Sequence, residues 1–263
     1  MRRKLKRAIK SQSVALFNYF FDKIRRLRYK IFGSITIDGL KLPFYKFTET
    51  TRLLLLNKNY ETVERDFVKK YLPEGAYVVE FGASIGYISC HILQKKPIKL
   101  LSFEAVAEWA KVAHETVRLN FKDAPFELVE KAIAPKGQNS VTFYFNTWDN
   151  LGGLVHATES DSAGKTLPAL SLGDVNRVYK VPTQAWLIMD IEGMEWEIIR
   201  NQKESLEPYK GIIVECHQVT SSDGDRKITP QDIVDEFLNA GFNLIDISSH
   251  ETHIVAVFKQ KDS

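Results

Sequence analysis

Apolar positions along the chain change period several times, and each change marks an element. Tyr77-Val78-Val79 is apolar at successive positions, as a parallel strand buried on both faces requires, and Tyr87 to Leu93 then takes up helical spacing. Lys99 to Phe103, Phe126 to Glu130, Trp186 to Met189 and Ile212 to Val214 repeat the strand signal, with a helix expected over Val106 to Leu119. Thr229 and Pro230 supply a cap and a first-turn proline for a helix running to Asn239. Phe242 to Ile247 and Thr252 to Lys259 then predict a closing antiparallel pair. Upstream, Val63, Phe67, Val68 and Tyr71 fall at helical intervals between Glu61 and Leu72, stopping at Pro73, and Asp38-Gly39 between Ile35-Thr36-Ile37 and Leu40-Lys41-Leu42 signals a hairpin. Val141 to Phe145 alternates and predicts an extra strand, whereas Asn146 to Gly173 lacks a period and reads as a long substrate-side lid.

Charge divides the chain. Residues 1–34 carry eleven Lys/Arg against the single acid Asp22, so that segment stands at +10 and the rest at −7 within a net charge of +3. Phe17, Phe20, Phe21, Ile24, Leu27 and Ile31 lie on one stripe of this segment, with Lys23, Arg25, Arg26, Arg28 and Lys30 mostly off it. The pattern predicts a basic amphipathic helix ending at Gly33, suited to peripheral contact with an anionic membrane. Packing of the same stripe on the chain's own domain or on a second copy in a homodimer is the competing expectation. An acidic body of residues 35–263, forming one catalytic domain, argues against a nucleic-acid partner. Cys90 and Cys216 suggest neither a disulfide framework nor a thiolate metal site. No apolar run reaches the ~20 residues of a membrane span, and no secretory cleavage pattern follows residues 1–10, so the expected location is cytoplasmic, at most peripheral at the inner membrane face.

The candidate chemistry gathers at strand ends. Glu80 is followed by Gly82, Ser84 and Gly86, a turn whose glycines would let the backbone approach a ligand. A dinucleotide fingerprint puts a glycine at the Ser84 position, and the Glu80 carboxylate would repel a pyrophosphate while attracting an ammonium. The turn therefore favours S-adenosyl-L-methionine. Glu104 ends the next strand 22 residues after Gly82, close to the ~20 expected for a carboxylate accepting both ribose hydroxyls. A helix-capping acid is the plainer reading of the same residue.

V-V-E-F-G-A-S-I-G-Y-I-S, L-S-F-E-A, D-I-E-G-M-E at 190–195 and V-E-C-H at 214–217 resemble, in order, the motifs of the FkbM family of S-adenosylmethionine-dependent methyltransferases. Tyr60-Glu61 and Leu72-Pro73-Glu74-Gly75 resemble that family's features before the first strand. The resemblance runs from about Tyr60 to the last strand. It implies an α/β, Rossmann-like class I methyltransferase fold: a mostly parallel seven-stranded sheet between helices, closed by an antiparallel strand. It also implies O-methylation of a sugar or polyketide-type hydroxyl, with cofactor contacts from Glu61, Glu80, Gly82, Ser84, Gly86, Glu104, Ala105, Ala132 and Asp190. The family usually has Asp at position 80, Asn at 84, Pro at 105 and Leu-Asp where this chain has Leu172-Gly173.

Methyl transfer to a hydroxyl needs an oriented nucleophile and a proton acceptor. Asp190, Glu192, Glu215 and His217 follow strands at the sheet edge where ligands of open α/β folds bind. His217, with an ordinary pKa near neutrality, is the expected general base, and Asp190 is expected to touch the cofactor or orient the acceptor. A metal among these groups remains open, while His250 and His253 read as solvated or structural. An Asn/Asp-Pro-Pro-aromatic turn for a flipped base is replaced by Asp190-Ile191-Glu192-Gly193, which disfavours nucleic acid. The alternative to catalysis is a non-catalytic cofactor-binding partner in a glycan-assembly complex.

Overall fold

The computed structural model describes residues 33–145, 153–154, 164–220, 226–250 and 253–261. The basic helix expected before Gly33 therefore lies outside the described residues. Two compact units are present, one ending at Phe47 and one running from Thr48 to Ser263. In the first, strands β1 (Ile35–Ile37) and β2 (Leu40–Leu42) pair antiparallel across Asp38-Gly39, both at positive φ as the hairpin signal required.

The second unit opens with helices α1 (Glu49–Leu56) and α2 (Thr62–Tyr71). The order then runs β3 (Tyr77–Phe81), α3 (Tyr87–Gln94), β4 (Lys99–Phe103), α4 (Ala107–Asn120) and β5 (Phe126–Val129). After β6 (Ala132–Ile133), β7 (Ser140–Phe145), β8 (Gly153–Leu154), β9 (Gly164–Leu170) and α5 (Leu172–Tyr179) come β10 (Ala185–Met189), α6 (Glu195–Asn201) and β11 (Tyr209–His217). The short pair β12 (Val219–Thr220) and β13 (Lys227–Ile228), α7 (Pro230–Asn239), β14 (Phe242–Ser249) and β15 (His253–Gln260) complete it. Thr229 and Asp232 cap α7 reciprocally, so the sequence signal for that helix start is met.

Seven strands form the main sheet in the order β14-β15-β11-β10-β3-β4-β5. The five from β11 to β5 are mutually parallel, and β15 enters antiparallel between β11 and β14. Strand β10 is buried along its whole length and β3 and β4 along all but their first residue, which is why their sequences are apolar without alternation. Chain order reverses between β3 and β10, and a crevice opens beyond the carboxyl ends of strands at such a point.

Two expectations need correction. The segment Asn146 to Gly173 is not one long connection: β9 occupies Gly164–Leu170, lies between β6 and β7 in a second, four-stranded sheet, and is followed at once by α5. Leu167 and Ala169 point inward, and Pro168 is tolerated because β9 has a neighbour there on one side only. What remains of the expected lid, 146–152 and 155–163, is outside the described residues. Strand β11 runs from Tyr209 to His217, longer than the Ile212 to Val214 expected, and keeps Glu215 and His217 two apart at its carboxyl end.

Candidate active site

The turn after β3 is built by chain packing as much as for a ligand. Gly82 has φ +88°, and a Cβ there would stand 1.8 Å from the Asp190 carbonyl oxygen; at Gly86, φ +78°, it would meet the Ala113 backbone of α4 at 2.9 Å. The two glycines thus let β10 and α4 close on the turn, a nearer cause than the ligand approach expected from spacing. Ser84 between them holds a left-handed φ of +46°. Its N–H donates to Glu104 Oε2 at 2.8 Å, and its hydroxyl lies 3.1 Å from the Tyr60 hydroxyl. Glu104 Oε1 accepts from Val106 N–H at 2.8 Å, so one buried carboxylate ties the β3 turn to the start of α4. The capping role of Glu104 is therefore real, and each oxygen still has a second lone pair for a ribose hydroxyl.

Glu80 is deeper than the cofactor reading anticipated. It is fully buried, accepts from the hydroxyls of Ser89 (2.6 Å) and Ser102, and leaves Oε1 without a hydrogen bond. Burial pushes its carboxyl up to about 7. The folded chain therefore holds this proton at pH values where the unfolded chain has lost it. The stability it confers is complete below the ordinary carboxylate range and is lost as pH rises to about 7. Glu80→Gln keeps the shape and removes the titration. Between pH 5 and pH 8 the difference in unfolding free energy should move by about 2–3 kcal/mol in favour of the variant, read from urea midpoints at the two pH values. A difference that does not change with pH would show Glu80 to be ionised in the folded chain throughout.

A cavity of about 1000 Å³ lies over this turn. Glu61, Gly82, Ser84, Glu104, Ala105 and Ala132 stand on its wall, as do Asp190, Glu192 and Glu215. Glu80, Gly86 and His217 sit behind the wall rather than on it. Phe103, Ile133 and Ala132 give an apolar end suited to a flat ring, and Lys165 of β9 brings the second sheet to the rim.

The opposite end is acidic. His217 is the hub: its Nδ1 is 3.2 Å from Glu195 Oε1, and its Nε2 is 3.3 Å from Glu215 Oε1 and 3.8 Å from both Asp190 Oδ1 and Glu192 Oε2. Burial alone would lower the imidazole's pKa, but Glu195, Glu215 and Asp190 outweigh it and raise it well above the ordinary value. A base must be unprotonated, so this cationic imidazole is poorly suited to the role expected of it. Burial and the neighbouring Glu215 raise Asp190 well above the usual carboxylate range, and burial raises Glu192. Burial also opposes the Glu215 carboxylate, but its contacts with His217 hold its pKa down.

Sequence reasoning missed two acids here. Glu64, on α2, is 7% exposed and is pushed up to about 8 by burial and by the neighbouring Glu215. Its signal was available, since an acid at 64 falls on the stripe of Phe67, Val68 and Tyr71. Glu195, in the first turn of α6, has no exposed side-chain surface and also accepts the Ile191 N–H at 3.0 Å. His250 and His253, read from the sequence as solvated or structural, stack at 4.6 Å and line the cavity, His250 exposed and His253 with its Nε2 3.6 Å from Glu215 Oε1.

Comparison with known proteins gives one family and a fold. A family model described as "Methyltransferase FkbM domain" matches residues 75–244. A comparison with curated proteins finds no match. Among solved structures, a putative SAM-dependent methyltransferase from Streptococcus mutans is similar at TM-score 0.52 and 9% identity, over 86% of this chain and 55% of that one. Magnesium protoporphyrin IX methyltransferase from Synechocystis PCC 6803, with bound SAM, is similar at TM-score 0.48 and 10% identity, over 94% of this chain and 96% of that one.

Proposed function

Since the chain belongs to the FkbM family of S-adenosylmethionine-dependent methyltransferases, we propose that it methylates a hydroxyl, on a sugar of a cell-surface glycan or glycolipid. The observation that carries this reading is the placement of Asp190 at the end of β10. It lines the same cavity as Glu104, and its buried Oδ1 has no hydrogen-bond partner. A hydroxyl is a weak nucleophile whose proton must leave as the new bond forms, and a carboxyl with raised proton affinity accepts that proton near neutral pH.

The residues divide the work. Glu104 and the Ser84 turn would hold the ribose side of the cofactor and Phe103, Ala132 and Ile133 its ring; when bound, the cofactor would supply an electrophilic methyl carbon on a sulfonium. Asp190 would orient the acceptor hydroxyl and take its proton as the methyl group is transferred to its oxygen. Glu195 fixes His217, whose charge keeps Asp190, Glu192 and Glu215 close together despite their repulsion. Carboxylates grouped in this way accept hydrogen bonds from several hydroxyls, which suits a polyol better than an isolated alcohol.

The test supplies the full chain with methyl-labelled cofactor and glycan or glycolipid fractions. A label that survives mild alkali on a sugar is the expected product, because an ether resists base where a methyl ester does not. Label found only in alkali-labile or nucleic-acid material would overturn the hydroxyl reading.

A further inference from the structure

We propose that Asp190, Glu192 and His217 form a binding site for one hard divalent cation, Mn²⁺ or Mg²⁺, with Glu195 as the residue that positions the imidazole. One oxygen of each carboxylate and one nitrogen of His217 lie within 4.8 Å of one another. Atoms sharing a cation at roughly 2.0–2.3 Å stand about 3–4.6 Å apart, so the three need to close by only a fraction of an ångström. Two carboxylates and one imidazole favour this class of ion over soft metals, which prefer thiolates.

Other features point to a ligand rather than to an acidic patch alone. Asp190 Oδ1 is shut off from solvent, faces Nε2 at 3.8 Å and makes no hydrogen bond. Glu195, wholly buried, takes Nδ1 of His217 at 3.2 Å and is itself held by the Ile191 N–H. A buried carboxylate behind the far ring nitrogen is the arrangement that orients a metal-ligating histidine. Among the described residues, no lysine or arginine forms an ion pair with Asp190, Glu192, Glu195 or Glu215; only His217 and His253 do. Glu215 Oε1, 3.3 Å from Nε2, is placed to join as a fourth ligand or to hold a bound water. Asp190 and Glu192 line the cavity, so coordination positions left open face the acceptor. The cation would displace the proton from His217 Nε2 and take over its charge among the carboxylates; it goes beyond the hydroxyl reading and rests on it only for the acceptor it would orient.

Manganese alone serves as the probe, titrated into chelator-treated full-length chain and followed by the loss of the free Mn²⁺ electron paramagnetic signal. Saturation at about one ion per chain is expected, as a three-residue ligand set requires. Glu192→Gln and His217→Ala should each weaken binding at least about tenfold, and Glu195→Gln by about 10- to 100-fold, as loss of an outer carboxylate does. A free-ion signal undiminished at millimolar Mn²⁺, or equal affinity in all three variants, overturns the site. Should a variant fail to fold, broadening of the His217 ring resonances by Mn²⁺ in the unaltered chain decides, and its absence counts against the proposal. Cofactor binding is scored on the same sample by calorimetry. Intact cofactor binding without Mn²⁺ binding removes the cation site alone. Mn²⁺ binding without cofactor binding removes the methyl-transfer reading and leaves the cation site standing.

Discussion

Asp190→Asn is expected to lower turnover by about 10²- to 10⁴-fold, the range for loss of a positioned proton acceptor, while cofactor affinity changes little. Asparagine keeps the shape of the side chain and the backbone bond from Asp190 N–H to the Phe81 carbonyl oxygen, so the β10 end stays paired with β3. It removes the one function the reaction needs, acceptance of a proton. The pH profile gives the sign. Burial and Glu215 raise the Asp190 pKa, so the wild-type rate should fall on the acid side at a pH above the usual carboxylate range. The residual rate of the variant should lose that limb. A variant of full rate would show that the proton leaves by another route, with Glu215 the next group to examine.

Glu104→Ala is expected to weaken S-adenosylmethionine binding by roughly 2–4 kcal/mol, about 30- to 1000-fold in dissociation constant. Two effects add. Charge-assisted bonds to the ribose are lost, and the N–H groups of Ser84 and Val106, each held at 2.8 Å by this carboxylate, lose their partner. The second effect frees Ser84 from a left-handed conformation that a serine adopts reluctantly. Glu104→Gln separates the two, since its amide oxygen can still hold one N–H. Calorimetry on both variants is the measurement. Unchanged affinity in a folded Glu104→Ala chain would defeat the cofactor geometry drawn above.

The fold was legible because parallel strands buried on both faces are mostly apolar: β3, β4 and β10 show this apart from the paired Glu80 and Ser102, and their order with the intervening helices follows from local pattern. Glu104 was legible through its distance from Gly82. Glu195 was not, because it reaches the site from the first turn of a helix whose packing sets where it points, whereas Glu64 was marked as buried by its place on the apolar stripe of α2 but not as a neighbour of Glu215. His253 arrives through register. The antiparallel entry of β15 pairs it with His217, and nothing near residue 253 announces that neighbour. The charge on His217 was illegible for a related reason, since carboxylates from α6 and from the β10 turn, together with Glu215 of its own strand, decide its proton affinity. Strand β9 hid behind Pro168 and three exposed residues, Gly164 to Thr166, that look like loop.

Strands β3 and β10 are hydrogen-bonded neighbours, Val78 beside Trp186, although more than a hundred residues separate them. One wall of the cavity, from Glu61 through Glu104 to Ala132, is complete in sequence long before Asp190 has been synthesised. A nascent chain can therefore close β3, β4 and β5 with their helices while its cofactor site is still open on one side. Closing that gap carries the entropy of the largest loop in the sheet, and nonlocal pairings of this kind form slowly. The exposed flank of β3 during that interval is the molecule's weak moment, a free edge of apolar backbone that must wait for its partner to leave the ribosome.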